Sequence, residues 1–345
     1  MNSTRFVFLD YLRIFAATSV FFGHNVSGFL QSVIDSPELH QSHILYWYFA
    51  YSIRFVTEMG GTGVVVFFMI SGYIITHTLK LSSASSFLIR RFFRIYPAFI
   101  FASILEVFVS NHPSSYDDLI LRLLLLGDIL ELPYGLGGVE WTLRIELYFY
   151  FFMFLVKELG FLDKRYFPLI FIIPSVYLFI SDPLPRFGAF GGYISLYIPI
   201  LFIGSCVYIA QHDSRSRTIS ISTILLLYMI HVQELTNLGK SSTYLRFLNV
   251  GMIVWFFFWY FQKLFSRTLV ISLLSNVTYS FYLFHNWIGR YISGFVFEST
   301  WPWGIYISIV VLSTLVYYIV ELPFISLGRK LSRDVIALGK SRFKS

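Results

Sequence analysis

Two stretches of the chain, Phe187 to His212 and Ser299 to Val320, contain no Asp, Glu, Lys or Arg. As helices, both are long enough to cross a hydrocarbon layer of about 30 Å. That feature alone assigns the chain to the membrane class. The composition agrees: of 345 residues, 56% are hydrophobic, 20% aromatic and only 13% charged, with a mean hydropathy of +0.68, far from soluble proteins. The predicted fold is all-α, a polytopic transmembrane helical bundle.

Hydropathy and loop breaks place about ten spans, at residues 6–28, 60–80, 93–111, 140–158, 166–182, 190–210, 218–235, 246–262, 272–294 and 303–323. Tyr116 to Leu130 is apolar but shorter, with Asp117, Asp118 and Asp128 near its ends, and is expected to be interfacial or re-entrant. No internal repeat and no Pro/Gly/Ser-rich linker is visible. One membrane domain over 1–328 and a basic tail over 329–345 account for the chain. The first apolar stretch is interrupted by Asp10, Arg13 and His24 and lacks a small-residue cleavage site, so it is expected to be retained rather than removed as a signal peptide.

With the N-terminus inside, 19 of the 26 Lys and Arg residues fall at cytoplasmic ends and loops or in the tail, from Arg5 to Lys344. Six lie outside or near the outer face (Arg54, Arg122, Arg186, Lys240, Arg246 and Arg290), and Arg144 lies within a span. This asymmetry predicts a multi-pass inner-membrane protein with both termini cytoplasmic. The same distribution explains the net charge of +7 without nucleic acid, because no separate basic domain exists to hold one. Cys206 is the sole cysteine, which excludes an intramolecular disulfide, a zinc knuckle or an iron–sulfur cluster, and no metal site is expected.

The chemistry is expected where ionisable groups enter the apolar spans, since such groups are costly unless they face the protein interior or a wet cavity. In FLDYLRIFAATSVFFGH, Arg13 and His24 return to within about 20° of one helix face, roughly 16 Å apart. This is either a substrate pathway or a snorkelling arginine with a structural histidine. GGTGVVVFFMISGYIIT carries small residues for close helix approach, and Ser71, Gly72 and Tyr73 interrupt it near mid-membrane. RRFFRIYP sets Arg91 and Arg94 on one face at the cytoplasmic start of the third span, suited to phosphate oxygens or to ordinary positive-inside anchoring. In VEWTLRIELYFY, Glu146 lies in the outer half beside Trp141 and Thr142, at a depth similar to His24. It is a candidate to orient the imidazole, or a structural partner for Arg144 or another buried cation. TYSFYLFHNW adds Tyr282 and His285, and VELP adds Glu321. His77, His231 and Glu234 are read as interfacial or structural.

Taken in order, Arg13 with His24, GGTGVVVFFMISGY, RRFFRIYP, WTLRIE, TYSFYLFH and the closing VELP resemble the acyltransferase-3 family of membrane O-acyltransferases, from about Phe8 to Pro323. The resemblance implies ten core helices, acyl-CoA as co-substrate, no permanently bound cofactor, and acylation of an extracytoplasmic glycan or other hydroxylated acceptor. By position, it places the family's essential histidine on His24, its intramembrane arginine on Arg13 and its arginine motif on Arg91 and Arg94. Glu146 is the second catalytic candidate; Ser71, Tyr73, Trp141, Tyr282 and His285 are candidate substrate contacts. Relatives often carry a fused esterase-like domain; here a short basic tail follows Glu321, so any second transfer step is expected to need a separate protein. The rival reading is a transporter or flippase using Arg13, His24 and Glu146 as a path, although its inverted repeat is missing; a non-catalytic scaffold leaves those residues unexplained.

Overall fold

The computed structural model describes residues 6–57, 60–110, 116–186, 188–295 and 302–342. Arg5 and Lys344, used in the topology argument, lie outside them, as do the side chains of Asp117 and Asp118. Among the described residues every regular element is helical. In chain order these are α1 (Val7–Phe21), α2 (Ser27–Ile34), α3 (Pro37–Ser42), α4 (Ile44–Thr57), α5 (Gly61–Leu81), α6 (Ala84–Ser110), α7 (Tyr116–Leu123), α8 (Gly127–Leu130), α9 (Glu140–Glu158), α10 (Ile172–Ile180), α11 (Tyr193–His212), α12 (Arg217–Asn237), α13 (Ser242–Tyr260), α14 (Leu269–Phe284), α15 (Trp287–Phe295), α16 (Pro302–Val316) and α17 (Leu322–Arg342). Two π-helical turns, Phe22–Val26 and Tyr317–Glu321, join α1 to α2 and α16 to α17.

Five of the described helices are long and apolar enough to cross a membrane: Gly61–Leu81, Ala84–Val109, Tyr193–His212, Arg217–Asn237 and Trp303–Asp334. Phe167–Ile180 and Leu269–Phe284 are apolar but shorter. The other three expected spans coincide with α1, α9 and α13, which carry Asp10 and Arg13, Glu140, Arg144 and Glu146, and Arg246 and Asn249. Large apolar side chains on the outer faces, such as Phe108, Ile173 and Met229, are exposed, as lipid-facing residues are. Residues 116–130 form two short helices, in keeping with a segment too short to span. Three elements lie beyond the sequence reading: α3 and α4, within the first loop, and α17, which keeps the basic segment from Arg329 helical to Arg342.

The chain divides into two compact units. The first comprises Met1–Phe67 and Ser241–Leu315. Its centre is α1, packed on α14 and α13. Phe8 meets the fully buried Trp255 edge-on at 5.9 Å, and Phe21 meets Tyr306 at 5.0 Å. The small residues of the GGTG run allow this packing: a side chain at Gly63 would strike the Ala16 carbonyl and Val20, and one at Gly61 the Phe247 ring.

The second unit comprises Phe68–Lys240 and Val316–Ser345. Its core is α11, with 89% of its apolar window buried, against α12, α9 and α10, while α17 lies along α6. The α5–α11 crossing depends on two glycines: a Cβ on Gly72 would meet the Leu201 carbonyl, and one on Gly204 the Met69 backbone. Ser205 Oγ donates to the Gly72 carbonyl at 3.2 Å across it. Because backbone rather than a flexible side chain is in the way, Gly72→Ala and Gly204→Ala are each expected to cost about 1–3 kcal/mol, the usual penalty of overpacking. Thermal midpoints in detergent test this; wild-type midpoints for both would mean the helices cross with room to spare.

Segment 116–139 is fastened to α6 and α9 by buried charges. Arg144, 0% exposed, pairs with Glu140 Oε1 at 2.6 Å and Asp128 Oδ1 at 3.1 Å. It also donates to the carbonyls of Leu132 and Pro133 and lies 4.2 Å over the Tyr134 ring. Arg122 bridges Glu106 at 3.1 Å and Glu140 at 3.4 Å. The same carboxylates accept backbone N–H groups: Glu140 from Gly135 and Glu106 from Leu136 and Gly137. Leu136 is thereby held at φ 55°, a left-handed conformation that a branched side chain seldom adopts.

Candidate active site

In the first unit, His24 sits inside the π-helical turn Phe22–Val26 and is exposed. The π turn interrupts the regular 100° progression, so the ideal-helix alignment of Arg13 with His24 does not carry over unchanged; such turns recur at functional sites. Against His24 lies His285, with ring centroids 5.3 Å apart and planes inclined by 50°. His285 follows the last residue of α14 and is 0% exposed. Its Nδ1 is 2.6 Å from the Tyr282 carbonyl, which makes Nδ1 the protonated nitrogen, and its Nε2 is buried without a hydrogen-bond partner among the described residues. Asn25, next to His24, donates to the His285 carbonyl at 3.0 Å and so ties the π turn to the end of α14. Gly289 leaves room for that amide. Tyr282 contributes its carbonyl; its ring packs edge-on against Phe67 at 5.7 Å.

Arg13 lies 3.4 Å from the buried Asp10, which also accepts from Ser275 Oγ at 2.7 Å. A small, partly open and largely apolar pocket is lined by Ala17, Thr18, Val277, Phe281 and Tyr306, among others. Its polar feature is the 3.1 Å contact between the Thr18 and Tyr306 hydroxyls.

In the second unit, Glu146 accepts hydrogen bonds from Ser71 Oγ and, at 2.7 Å, from Tyr150 O–H. Arg91 lies 5.6 Å over the Phe87 ring and 5.8 Å over Tyr150, and both Arg91 and Arg94 act electrostatically on Glu146. The cations near Glu146 are therefore Arg91 and Arg94, whereas Arg144 pairs with Glu140 and Asp128. Arg90 on α6 and Arg329 on α17 are near enough to repel each other, which gathers further positive charge about the arginine motif. Tyr73 points elsewhere and donates to Gln211 Oε1 at 2.9 Å. Trp141 is packed between Tyr193 and Tyr197, at 4.7 and 4.9 Å. His231 is buried in α12, with Nδ1 2.9 Å from the Leu196 carbonyl, and Glu234 is buried too.

The structure thus brings His24 together with His285 and Tyr282, and Glu146 with Ser71 and Arg91; His24 and Glu146 fall in different units. Sequence reasoning missed Tyr150, although its i+4 spacing from Glu146 signals the bond. It also missed Asn25 and the Glu106–Arg122 pair, whose signal is an unexplained acid and base in apolar segments.

A membrane chain that is helical throughout its described residues, with a histidine pair in one unit and an arginine-flanked glutamate in the other, is the class these observations define. The acyltransferase-3 family model, described as an acyltransferase domain, matches residues 6–322. The chain belongs to this family. Among characterised proteins it is similar to Nodulation protein 10 of Rhizobium leguminosarum bv. viciae, 28% identical over 174 residues. That match covers 44% of this chain and 44% of the relative's length. No solved structure matches the chain.

Proposed function

We propose that this protein is a multi-pass inner-membrane O-acyltransferase with ten crossings and cytoplasmic termini. It moves an acyl group, acetyl by default, from cytoplasmic acyl-CoA to a hydroxyl of an extracytoplasmic or lipid-linked glycan. The observation that carries this reading is His24: an exposed imidazole in a π-helical turn, within a domain of the acyltransferase-3 family. His24 takes the proton of the acceptor hydroxyl as its oxygen attacks the thioester carbonyl carbon. The C–S bond then breaks, and the CoA thiolate leaves with the proton returned by the imidazolium. Arg91 and Arg94 hold the nucleotide phosphates of acyl-CoA, and Arg13 lines the path of its pantetheine arm. Glu146, accepting from Ser71 and Tyr150 and balancing Arg91, sets the charge beside the arginine motif.

Acceptor-dependent consumption of acetyl-CoA by purified protein separates the enzyme from a transporter or flippase, which would leave the thioester intact. Glycan mass analysis of cells with and without the protein identifies the acceptor. Replacing Arg91 and Arg94 together by Ala is expected to raise KM for acyl-CoA at least about tenfold, as the loss of charge-assisted hydrogen bonds predicts, with little change in abundance. Lysine at both sites keeps the charge without the planar fork and should rescue partly. An unchanged KM in the double alanine variant would return both arginines to topology alone.

A further inference from the structure

We infer that His285 is the positioning residue for His24: its buried Nε2 accepts the N–H of the His24 imidazolium, and its own Nδ1–H is anchored on the Tyr282 carbonyl. The inference rests on His24 being the transfer base. Three observations lead to it. The rings are neighbours at 5.3 Å. The Tyr282 carbonyl at 2.6 Å fixes the proton of His285 on Nδ1, so Nε2 carries a lone pair. That Nε2 is buried and has no partner among the described residues, a state that costs free energy unless a donor reaches it at some stage of the reaction.

The donor arises in the reaction. Neutral His24 offers one nitrogen to the acceptor hydroxyl; once it takes the proton both of its nitrogens carry hydrogen, and the second needs an acceptor. His285 supplies one from inside the protein, and the chain of donors ends on a backbone carbonyl, which cannot titrate. A third group that holds the base in one tautomer and orientation is the usual requirement of such catalysis. Glu146, the acid the sequence suggested for that task, has both carboxylate oxygens engaged by Ser71 and Tyr150. Asn25 holds the two histidine-bearing segments together, so the ring pair is built into the first unit.

Two replacements separate the roles of the two ring nitrogens. In His285→Gln the amide oxygen reaches the place of Nε2 and still accepts; in His285→Asn the shorter amide can keep the bond to the Tyr282 carbonyl but leaves nothing for His24. The expected result is kcat within about tenfold of wild type for Gln and a fall on the order of 100-fold for Asn, the scale of a misplaced catalytic group. KM for acyl-CoA should be unchanged in both, with rates taken per accumulated molecule. Equal losses in the two variants, or no loss in either, overturn the inference. If neither variant accumulates, histidine 15N spectra of otherwise unaltered protein provide the test. His24→Gln should then shift the imidazole signal of one other histidine, in the Nδ1–H tautomer; a spectrum in which only the His24 signal disappears overturns the pairing. An active His24→Ala variant is a different outcome and removes the acyl-transfer reading of His24 itself.

Discussion

His24→Ala is expected to reduce acyl transfer by about 100- to 10,000-fold, the usual contribution of a positioned general base. Abundance and membrane insertion should be unchanged, because the side chain is exposed and its removal empties no core. His77, His212 and His231 serve as internal controls. His77 and His212 lie against Tyr208, and His231 donates to the Leu196 carbonyl, so each is engaged in the second unit, apart from the turn that carries His24. Their replacement should cost a few-fold at most in rate per folded molecule. The measurement is acceptor-dependent acetyl-CoA turnover at matched protein levels. If well-expressed His24→Ala stays within a few-fold of wild type, about 1 kcal/mol of barrier, His24 is not the base.

The largest effect on folding is expected at Arg144. Arg144→Met leaves Asp128, at 2% exposure, without the cation that pairs with it and Glu140, at 0%, with Arg122 alone at 3.4 Å. Breaking a buried ion pair from one side typically costs about 3–5 kcal/mol, because the remaining charge stays buried and uncompensated. Arg144 also satisfies two carbonyls and covers the Tyr134 ring, so the loop 131–135 loses its anchor at the same time. The variant should accumulate poorly and melt far below the parent. Neutralising both acids in the same chain, Glu140→Gln with Asp128→Asn, should recover part of the loss, since the penalty lies in the stranded charge. The exposed pair Arg186–Asp182 gives the contrast: Arg186→Ala should change neither abundance nor melting. An Arg144→Met protein that melts like the parent would reduce the network to an ornament of the loop.

Much of the helical architecture is legible in the sequence because lipid imposes one rule throughout: uninterrupted apolar runs such as Tyr193–His212 have no alternative use. Segments governed by mixed rules are harder. α4 combines exposed Leu45, Tyr48 and Phe49 with a single buried Ala50, and its aromatic residues read as loop because they are too few for a span. In the site, the residue types were legible and their partners were not. Arg13, His24, Glu146 and His285 all stand out as costly groups in apolar surroundings. Yet depth along a helix does not say which neighbour a side chain meets, so Glu146 was matched with His24, although its hydrogen bonds go to Ser71 and Tyr150. The pairing of His24 with His285 joins residues 261 positions apart, and no local pattern encodes that. Arg144 and Glu140 are four apart on one helix, a spacing that announces their ion pair, but Asp128 reaches Arg144 only through the fold of residues 116–139.

The π-helical turn at Phe22–Val26 has a consequence for how this chain is lined up with others. A turn bonded i to i+5 takes in one residue more than an α-turn, so it amounts to a single-residue insertion absorbed without breaking the helix. Deleting one residue there would close the turn to α geometry and leave the direction of α2 about the axis nearly unchanged, because the wider turn takes in the extra residue over the same sweep. The interval from Arg13 to His24 is thus an α count plus an extra residue. A homologue with one residue fewer between the same two side chains, in an unbroken α-helix, need not have lost the histidine; it can present that side chain in a similar direction. An alignment gap placed inside this turn is therefore a structural statement about which way the imidazole faces.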